Sequence, residues 1–188
     1  MELLSAHKTN KSIFDIVEKG SKKMVIWING SFGVGKTSTA EALKNKFDKS
    51  IIYDPEEIGG FLSNMFNHEK YDFQDYELWR ILNSDILKYM CSVYEIVIVP
   101  MTITNKNYYD EIINQLKTSG VEIKHFILNA SKEEIINRLN SREDSTEWAY
   151  NQVDRCIKEF DKNQFNAKII NTNNISVEEV ARIIIDSI

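Results

Sequence analysis

The chain is poor in the residues that build metal cages and disulfide frameworks. It has two cysteines, Cys91 and Cys156, and three histidines in 188 residues, and none stands at Cys-x-x-Cys or zinc-ligand spacing. A disulfide-stapled secreted module is therefore excluded, no metal motif stands out, and a reducing compartment, the cytoplasm, is expected. Long apolar runs are missing too. The longest clean ones, Met24–Ile28 and Ile96–Met101, fall far short of the roughly 20 residues a spanning helix needs. The opening Met-Glu-Leu-Leu-Ser-Ala-His lacks a basic stretch followed by an apolar core, so no secretory signal is expected. Nor is there an excess of positive charge. With 23 basic against 28 acidic residues the formal net charge is −5, which argues against broad binding to nucleic acid or anionic lipid and leaves room only for a local basic pocket. Repeats, low-complexity tracts and Pro/Ser-rich linkers are absent as well. What remains, 43% hydrophobic and 27% charged residues, is the composition of one ordinary globular domain.

One motif is complete. Gly30-Ser31-Phe32-Gly33-Val34-Gly35-Lys36-Thr37 fits G-x-x-x-x-G-K-[ST] at every position, and its surroundings supply the strand before and the helix after that the motif requires. Met24–Ile28 is a short apolar run rich in β-branched residues, as a strand buried on both faces reads. In the following Ser38–Phe47 stretch, Ala40, Leu43 and Phe47 fall on one helical face. The glycines let successive backbone N–H groups converge on a phosphate at the positive end of a helix. Lys36 would then reach the β and γ phosphates, and the Thr37 hydroxyl would ligate Mg²⁺. The nucleotide-binding candidates are Gly30, Ser31, Phe32, Gly33, Val34, Gly35, Lys36, Thr37 and Ser38.

Strand and helix signals alternate through the rest of the chain. Strands are expected at Ile51–Tyr53, Glu95–Val99, Glu122–Leu128 and Ala167–Ile170. Helices are expected at Glu56–Phe66, with Gly59-Gly60 as a weak point, at Gln74–Met90, Asn105–Thr118 and Glu147–Phe160. Two more should open on the capping boxes Ser131-Lys132-Glu133-Glu134 and Ser176-Val177-Glu178-Glu179, the first running toward Arg142. This order predicts an α/β fold: a three-layer α/β/α P-loop NTPase with a five-stranded parallel sheet, nucleoside-monophosphate-kinase-like, with a short lid. Residues 1–23 stand apart as an N-terminal appendage, and 24–188 form the domain. The ligand should lie beyond the carboxyl ends of the strands.

The third strand ends Val99-Pro100-Met101-Thr102, without the magnesium-linked Asp of most P-loop ATPases and GTPases, and no N-K-x-D guanine signature occurs. The carboxylate comes after the second strand instead, at Asp54, as in small P-loop kinases. There it would take the acceptor hydroxyl proton or help hold the metal; a turn-forming Asp before Pro55 is the plainer alternative. Arg138 and Arg142, four apart on one helical face, suit a lid that stabilises the transferring phosphoryl group, while a solvated Arg138–Glu134 pair is the bland reading. Arg155 is a weaker candidate on the following helix. The loop Asn171-Thr172-Asn173 either contacts adenine or is a polar turn.

At this point the chain resembles the bacterial tunicamycin-resistance ATP-binding proteins. The resemblance lies in Ile26–Thr37, Tyr53-Asp54-Pro55-Glu56, Asp72-Phe73-Gln74, Leu78-Trp79-Arg80, Val99-Pro100-Met101-Thr102, Ala130-Ser131-Lys132-Glu133 and Gln152–Cys156, in family order. It implies a P-loop ATP-binding protein, some relatives conferring resistance to a uridine-containing, lipid-linked nucleoside antibiotic. The family's basic C-terminal extension, linked to membrane attachment, has no counterpart before Ile188, so membrane attachment is not carried over.

The resulting expectation is an ATP- and Mg²⁺-dependent small-molecule kinase. Lys36, Asp54, Arg142 and Arg138 would serve catalysis, Asn171 and Thr172 the adenine, and Asp54, Arg80 and Thr102 the acceptor. Arg80 is equally readable as a surface arginine resting on aromatic neighbours. The aromatics Phe61, Phe66, Tyr71, Phe73 and Tyr76 would form either an apolar acceptor pocket or core. A binding protein that sequesters an antibiotic without phosphorylating it is the alternative. A third is a protein acting on a macromolecule through residues 1–23.

Overall fold

The structure is a computed structural model that describes residues 23–143, 145–162 and 165–188. All but the last residue of the expected N-terminal appendage lies outside the described residues.

Five strands form one parallel sheet in the order β2-β3-β1-β4-β5. They are β1 (Met24–Gly30), β2 (Ser50–Ile52), β3 (Ile96–Pro100), β4 (Glu122–Asn129) and β5 (Lys168–Asn171). The apolar runs are covered on both faces, as parallel strands with crossover helices must be. Alternation along β1 divides the core: Ile26 and Ile28 point to one face, Val25 and Trp27 to the other. The first face packs against α1 (Lys36–Lys44), α5 (Lys132–Asn140), α6 (Glu147–Lys162) and α7 (Val177–Ile185). The second packs against α2 (Pro55–Met65), α3 (Glu77–Val93) and α4 (Lys106–Thr118). On that second face the Trp27 and Tyr109 rings meet edge to face with centroids 5.4 Å apart. No helix of the described residues is long and apolar enough to cross a membrane.

Several local expectations are corrected. The Gly59-Gly60 pair does not weaken α2, which runs unbroken; a Cβ on Gly59 would stand 2.5 Å from ring carbons of Phe73, so this glycine admits an aromatic neighbour. The helix expected from Gln74 starts three residues later. Asp72 accepts a hydrogen bond from the Gln74 amide and caps a 3-10 turn at Phe73–Asp75 before α3 begins. At Ser131 only half of the capping box forms: its hydroxyl accepts from the Glu134 amide, but the Glu134 carboxylate pairs with Arg138 and the Ser131 amide donates to Asn173. The box at Ser176 is complete. Helix α5 stops at Asn140, so Arg142 leaves the helical face it was expected to share with Arg138. The link from α5 to α6 is short, spanning 141–146, with Asp144 outside the described residues.

Candidate functional site

The P-loop leaves β1 at its carboxyl end and returns as α1. Gly30, Gly33 and Gly35 all take positive φ, at 142°, 76° and 103°. Two of these positions also lack room for a side chain: a Cβ on Gly30 would meet the Leu128 carbonyl oxygen at 2.5 Å, and one on Gly33 would meet Leu139 at 2.8 Å. Gly35 faces open space instead, as a residue that presents its backbone to a ligand should. It is the left-handed N-cap of α1, which has neither a side-chain cap nor an acidic residue in its first turn. The amides and the positive end of α1 are thus left for an anion.

Lys36 lies inside this loop. Its Nζ donates to the carbonyls of Gly30 at 3.2 Å and Ser31 at 3.0 Å and sits 5.3 Å from the Phe32 ring centroid. Loss of solvation pushes its ammonium down to about 8, against the pull of Glu56 and Asp54 and with a push from Arg142.

On the α7 side, a cleft of about 440 Å³ is walled by the P-loop and by Arg138, Arg142, Thr172, Ile175 and Val177. Its size suits a nucleotide. Arg138 is a brace across it rather than a mobile finger. The guanidinium donates to the Val34 carbonyl at 3.1 Å, the Thr172 hydroxyl at 3.0 Å and the Thr172 carbonyl at 2.7 Å, and pairs with Glu134 at 2.8 Å. The Glu134 pair of the plainer reading exists, and the same side chain also ties the P-loop to the loop after β5. Thr172 is buried beneath this brace, while Asn171 forms a turn with the Asn173 amide and is not in the cleft wall. The apolar wall of Ile175, Val177 and Val180 went unnoticed in the sequence, because it belongs equally to the core pattern of α7.

Arg142 continues from this cleft into a second space of about 220 Å³, shared with Phe32, Glu56, Thr146 and Trp148. Beyond it lies a third, of about 130 Å³, lined by Phe32, Glu56, Asp72, Gln74, Trp148 and Arg155 among others. Glu56 and Phe32 therefore border both. Phe32 and Trp148 meet edge to face with centroids 4.8 Å apart. The Asp54-Pro55-Glu56 turn is held from behind: Trp79 Nε1 donates to the Pro55 carbonyl, and the Tyr53 hydroxyl to Asn83. Asp54 caps α2 by accepting from the Glu56 amide at 2.9 Å. The Glu56 carboxyl is raised by desolvation and by Asp54, with Lys36 opposing; the Asp72 carboxyl is raised chiefly by desolvation.

One acceptor-side expectation is corrected. Arg80 does not reach this pocket: it pairs with Glu111, donates to the Gln74 carbonyl and stacks 4.2 Å from the Tyr108 ring centroid. Its charge is committed to a brace under the Asp72–Asp75 turn, the resting arginine of the plainer reading. Thr102 borders the pocket, but its hydroxyl is buried and donates to the Gly30 carbonyl at 2.9 Å. Of the aromatics, Tyr71 and Phe73 line the pocket and Tyr76 is core, whereas Phe61 and Phe66 are exposed outside it. Glu56, Asp72, Gln74 and Trp148 were missed as site residues; only the nearness of Glu56 to Asp54 gave a local signal.

No cluster of three or more His, Cys, Asp or Glu side chains fit to hold a metal occurs among the described residues. The donor set does suit a magnesium ion carried in with phosphate oxygens, which needs only one or two protein oxygens. Thr37 stands exposed in the first turn of α1, and Asp54 keeps a carboxylate oxygen beyond the one that caps α2.

A strand, P-loop and helix at the carboxyl edge of a parallel five-stranded sheet, with a nucleotide-sized cleft on one side and a carboxylate-bearing pocket on the other, define a P-loop protein of the nucleotide-kinase type. The AAA domain family matches residues 25–164. The tunicamycin resistance protein of Deinococcus radiodurans is similar in structure with a TM-score of 0.72 and 30% identity, over 88% of this chain and 95% of that one. The Mycobacterium tuberculosis APS kinase (TM-score 0.64, 13% identity, 89% and 98% of the two chains) and the Sinorhizobium meliloti gluconokinase (0.63, 14%, 88% and 90%) share the fold. None of the curated proteins matches in sequence. The chain belongs to the AAA-domain P-loop proteins and, among them, to the tunicamycin-resistance family.

Proposed function

We propose that this protein is an ATP-dependent phosphotransferase acting on a hydroxyl of a small, nucleoside-like or antibiotic acceptor in a reducing cytoplasm, where its two buried cysteines stay free thiols. The observation that carries this reading is the position of Glu56. It borders both the space beside the P-loop and the pocket beyond it, and among side chains it has the largest effect on the Lys36 ammonium. A carboxylate there meets an incoming hydroxyl on the side where the γ-phosphoryl group ends.

In this reading the adenosine part of ATP occupies the cleft between the P-loop and Ile175–Val180. The amides of residues 33–37 cradle the phosphates, and Lys36 moves from its carbonyls onto the β and γ oxygens. Thr37 and Asp54 would hold Mg²⁺, which neutralises phosphate charge when bound. Arg142, shared between the two spaces, supports the equatorial oxygens of the phosphoryl group in transfer. The acceptor stacks a ring between Phe73 and Trp148 and offers hydroxyls to Glu56, Asp72 and Arg155. Glu56 takes the proton of the attacking hydroxyl, its carboxyl being raised by desolvation and by the neighbouring Asp54.

The test is a screen of nucleosides and nucleoside antibiotics, tunicamycin included, with Mg-ATP, reading ADP release and phosphorylated product by mass spectrometry. Acceptor-dependent ADP release that Lys36→Ala abolishes is the expected result. Tight binding of ATP and an antibiotic with no phosphorylated product would replace phosphotransfer by sequestration. Absence of ATP binding would overturn both.

A further inference from the structure

The Lys36 ammonium must leave its two carbonyls before it can reach a phosphate, and both are prepared for its departure. The Gly30 oxygen also accepts from the Thr102 hydroxyl at 2.9 Å, and the Ser31 oxygen from the Val34 amide at 3.4 Å. Gly30 is buried at the end of β1, with φ 142° and the Leu128 carbonyl oxygen standing where a side chain would begin. A buried carbonyl that loses a donor is costly, and one already holding a second donor loses less.

We infer that Thr102 is a positioning residue for the P-loop lysine: its hydroxyl keeps the Gly30 carbonyl engaged when Lys36 moves to the phosphates, and by sharing that oxygen it loosens the hold of the carbonyl on the ammonium. The inference rests on the nucleotide-binding reading and extends it to a residue that touches neither nucleotide nor acceptor through its side chain.

The surroundings of Thr102 are built to hold this geometry. Asn29 clamps the two segments together, its Oδ1 accepting from the amides of Gly30 at 3.0 Å and Ile103 at 2.9 Å and its Nδ2 donating to the Ile103 carbonyl at 2.9 Å. The Met101 amide donates to the Ile28 carbonyl, so the residues on either side of Thr102 are both tied to the end of β1. From the acceptor side, Gln74 Nε2 donates to the Thr102 carbonyl at 2.9 Å. A hydroxyl so fixed makes the strap after β3 part of the phosphate-binding apparatus, in the place where other P-loop proteins carry a carboxylate.

The experiment compares wild type, Thr102→Val, Thr102→Ser and Thr102→Ala in the full chain, with calorimetric affinities for Mg-ATP and for AMP. Lys36 serves the β and γ phosphates, which AMP lacks. Thr102→Val and Thr102→Ala should weaken Mg-ATP by about tenfold and leave AMP within twofold, whereas Thr102→Ser should bind both as wild type does. In a Lys36→Ala background, Thr102→Val should cost nothing more. If the variants weaken ATP and AMP alike, or Ser fails to rescue, Thr102 is merely structural and the inference falls. The same follows if Val and Ala both leave ATP affinity unchanged. A wild type that binds AMP but gains nothing from the further phosphates would instead remove the role given to Lys36.

Discussion

Two carboxylates stand two residues apart after β2, and their surroundings separate them. Asp54 commits one oxygen to the Glu56 amide as the N-cap of α2, a role that needs no charge, since Asn caps as well as Asp. Glu56 has no such duty. It stands where the space beside the P-loop meets the pocket beyond it, an exposed residue whose carboxyl is raised by desolvation first and by Asp54 second. A base whose affinity for protons is raised toward the working pH transfers them more effectively. Glu56→Gln should therefore lower turnover with an acceptor by about a hundredfold or more while ATP affinity stays within a few-fold. Asp54→Asn, which keeps the cap, should lower turnover less and leave the melting temperature unchanged. Steady-state kinetics with both variants decide between them. A larger loss for Asp54→Asn would transfer the role of base to Asp54.

At the level of the element, α2 shows why local propensity alone misleads. Gly59 and Gly60 look like one weakness, yet only Gly59 has a ring, Phe73, where a Cβ would go; nothing lies within 4 Å of the same position at Gly60. Gly59→Ala should destabilise by about 1–3 kcal/mol through overpacking against Phe73. Gly60→Ala, on an exposed helical position, should stabilise by about 0.5–1 kcal/mol. Urea denaturation of the two variants measures both, and equal effects would refute the distinction. The strand–loop–helix unit at 24–44 was legible because an apolar strand, a glycine motif and an amphipathic helix coincide within one short stretch. Ser176 was legible for the same reason. At Ser131 the N-cap was legible too, but the loss of the other half of its box was not: Glu134 pairs with Arg138 one turn further along the same helix, and the Ser131 amide donates to Asn173 from the distant loop after β5. The pocket beyond the P-loop was the least legible part: Glu56, Asp72, Gln74, Trp148 and Arg155 come from α2, the 3-10 turn with its cap, and α6, and no spacing in sequence announces that they share a wall.

For the whole molecule, the sheet order places the end of β1 between β3 and β4, so the same residue that clamps the P-loop also touches β4. Asn29 Nδ2 lies 3.5 Å from His125 Nε2. His125 is buried under the second face of the sheet, stacked on Tyr109 at 4.3 Å and edge-on to Phe165, and its Nδ1 has no hydrogen-bond partner among the described residues. Burial, with Lys117 adding a little, pushes this imidazole down to about 3. Between that value and the ordinary 6.5, the unfolded chain binds a proton that the folded chain refuses. Stability from this group is therefore intact above pH 6.5 and is lost as pH falls, at up to about 1.4 kcal/mol per pH unit. The raised carboxyls of Glu56 and Asp72 act in the opposite sense, since the folded state holds their protons to higher pH. The isolated contribution of His125 appears only as a difference between two proteins. Unfolding free energies of wild type and His125→Gln measured by urea from pH 7.5 to 5 should diverge in slope by up to one proton, the wild type falling more steeply. Parallel curves would mean that His125 takes up its proton in the folded state. The P-loop clamp would then sit beside a cation, and Mg-ATP affinity should change over the same pH range.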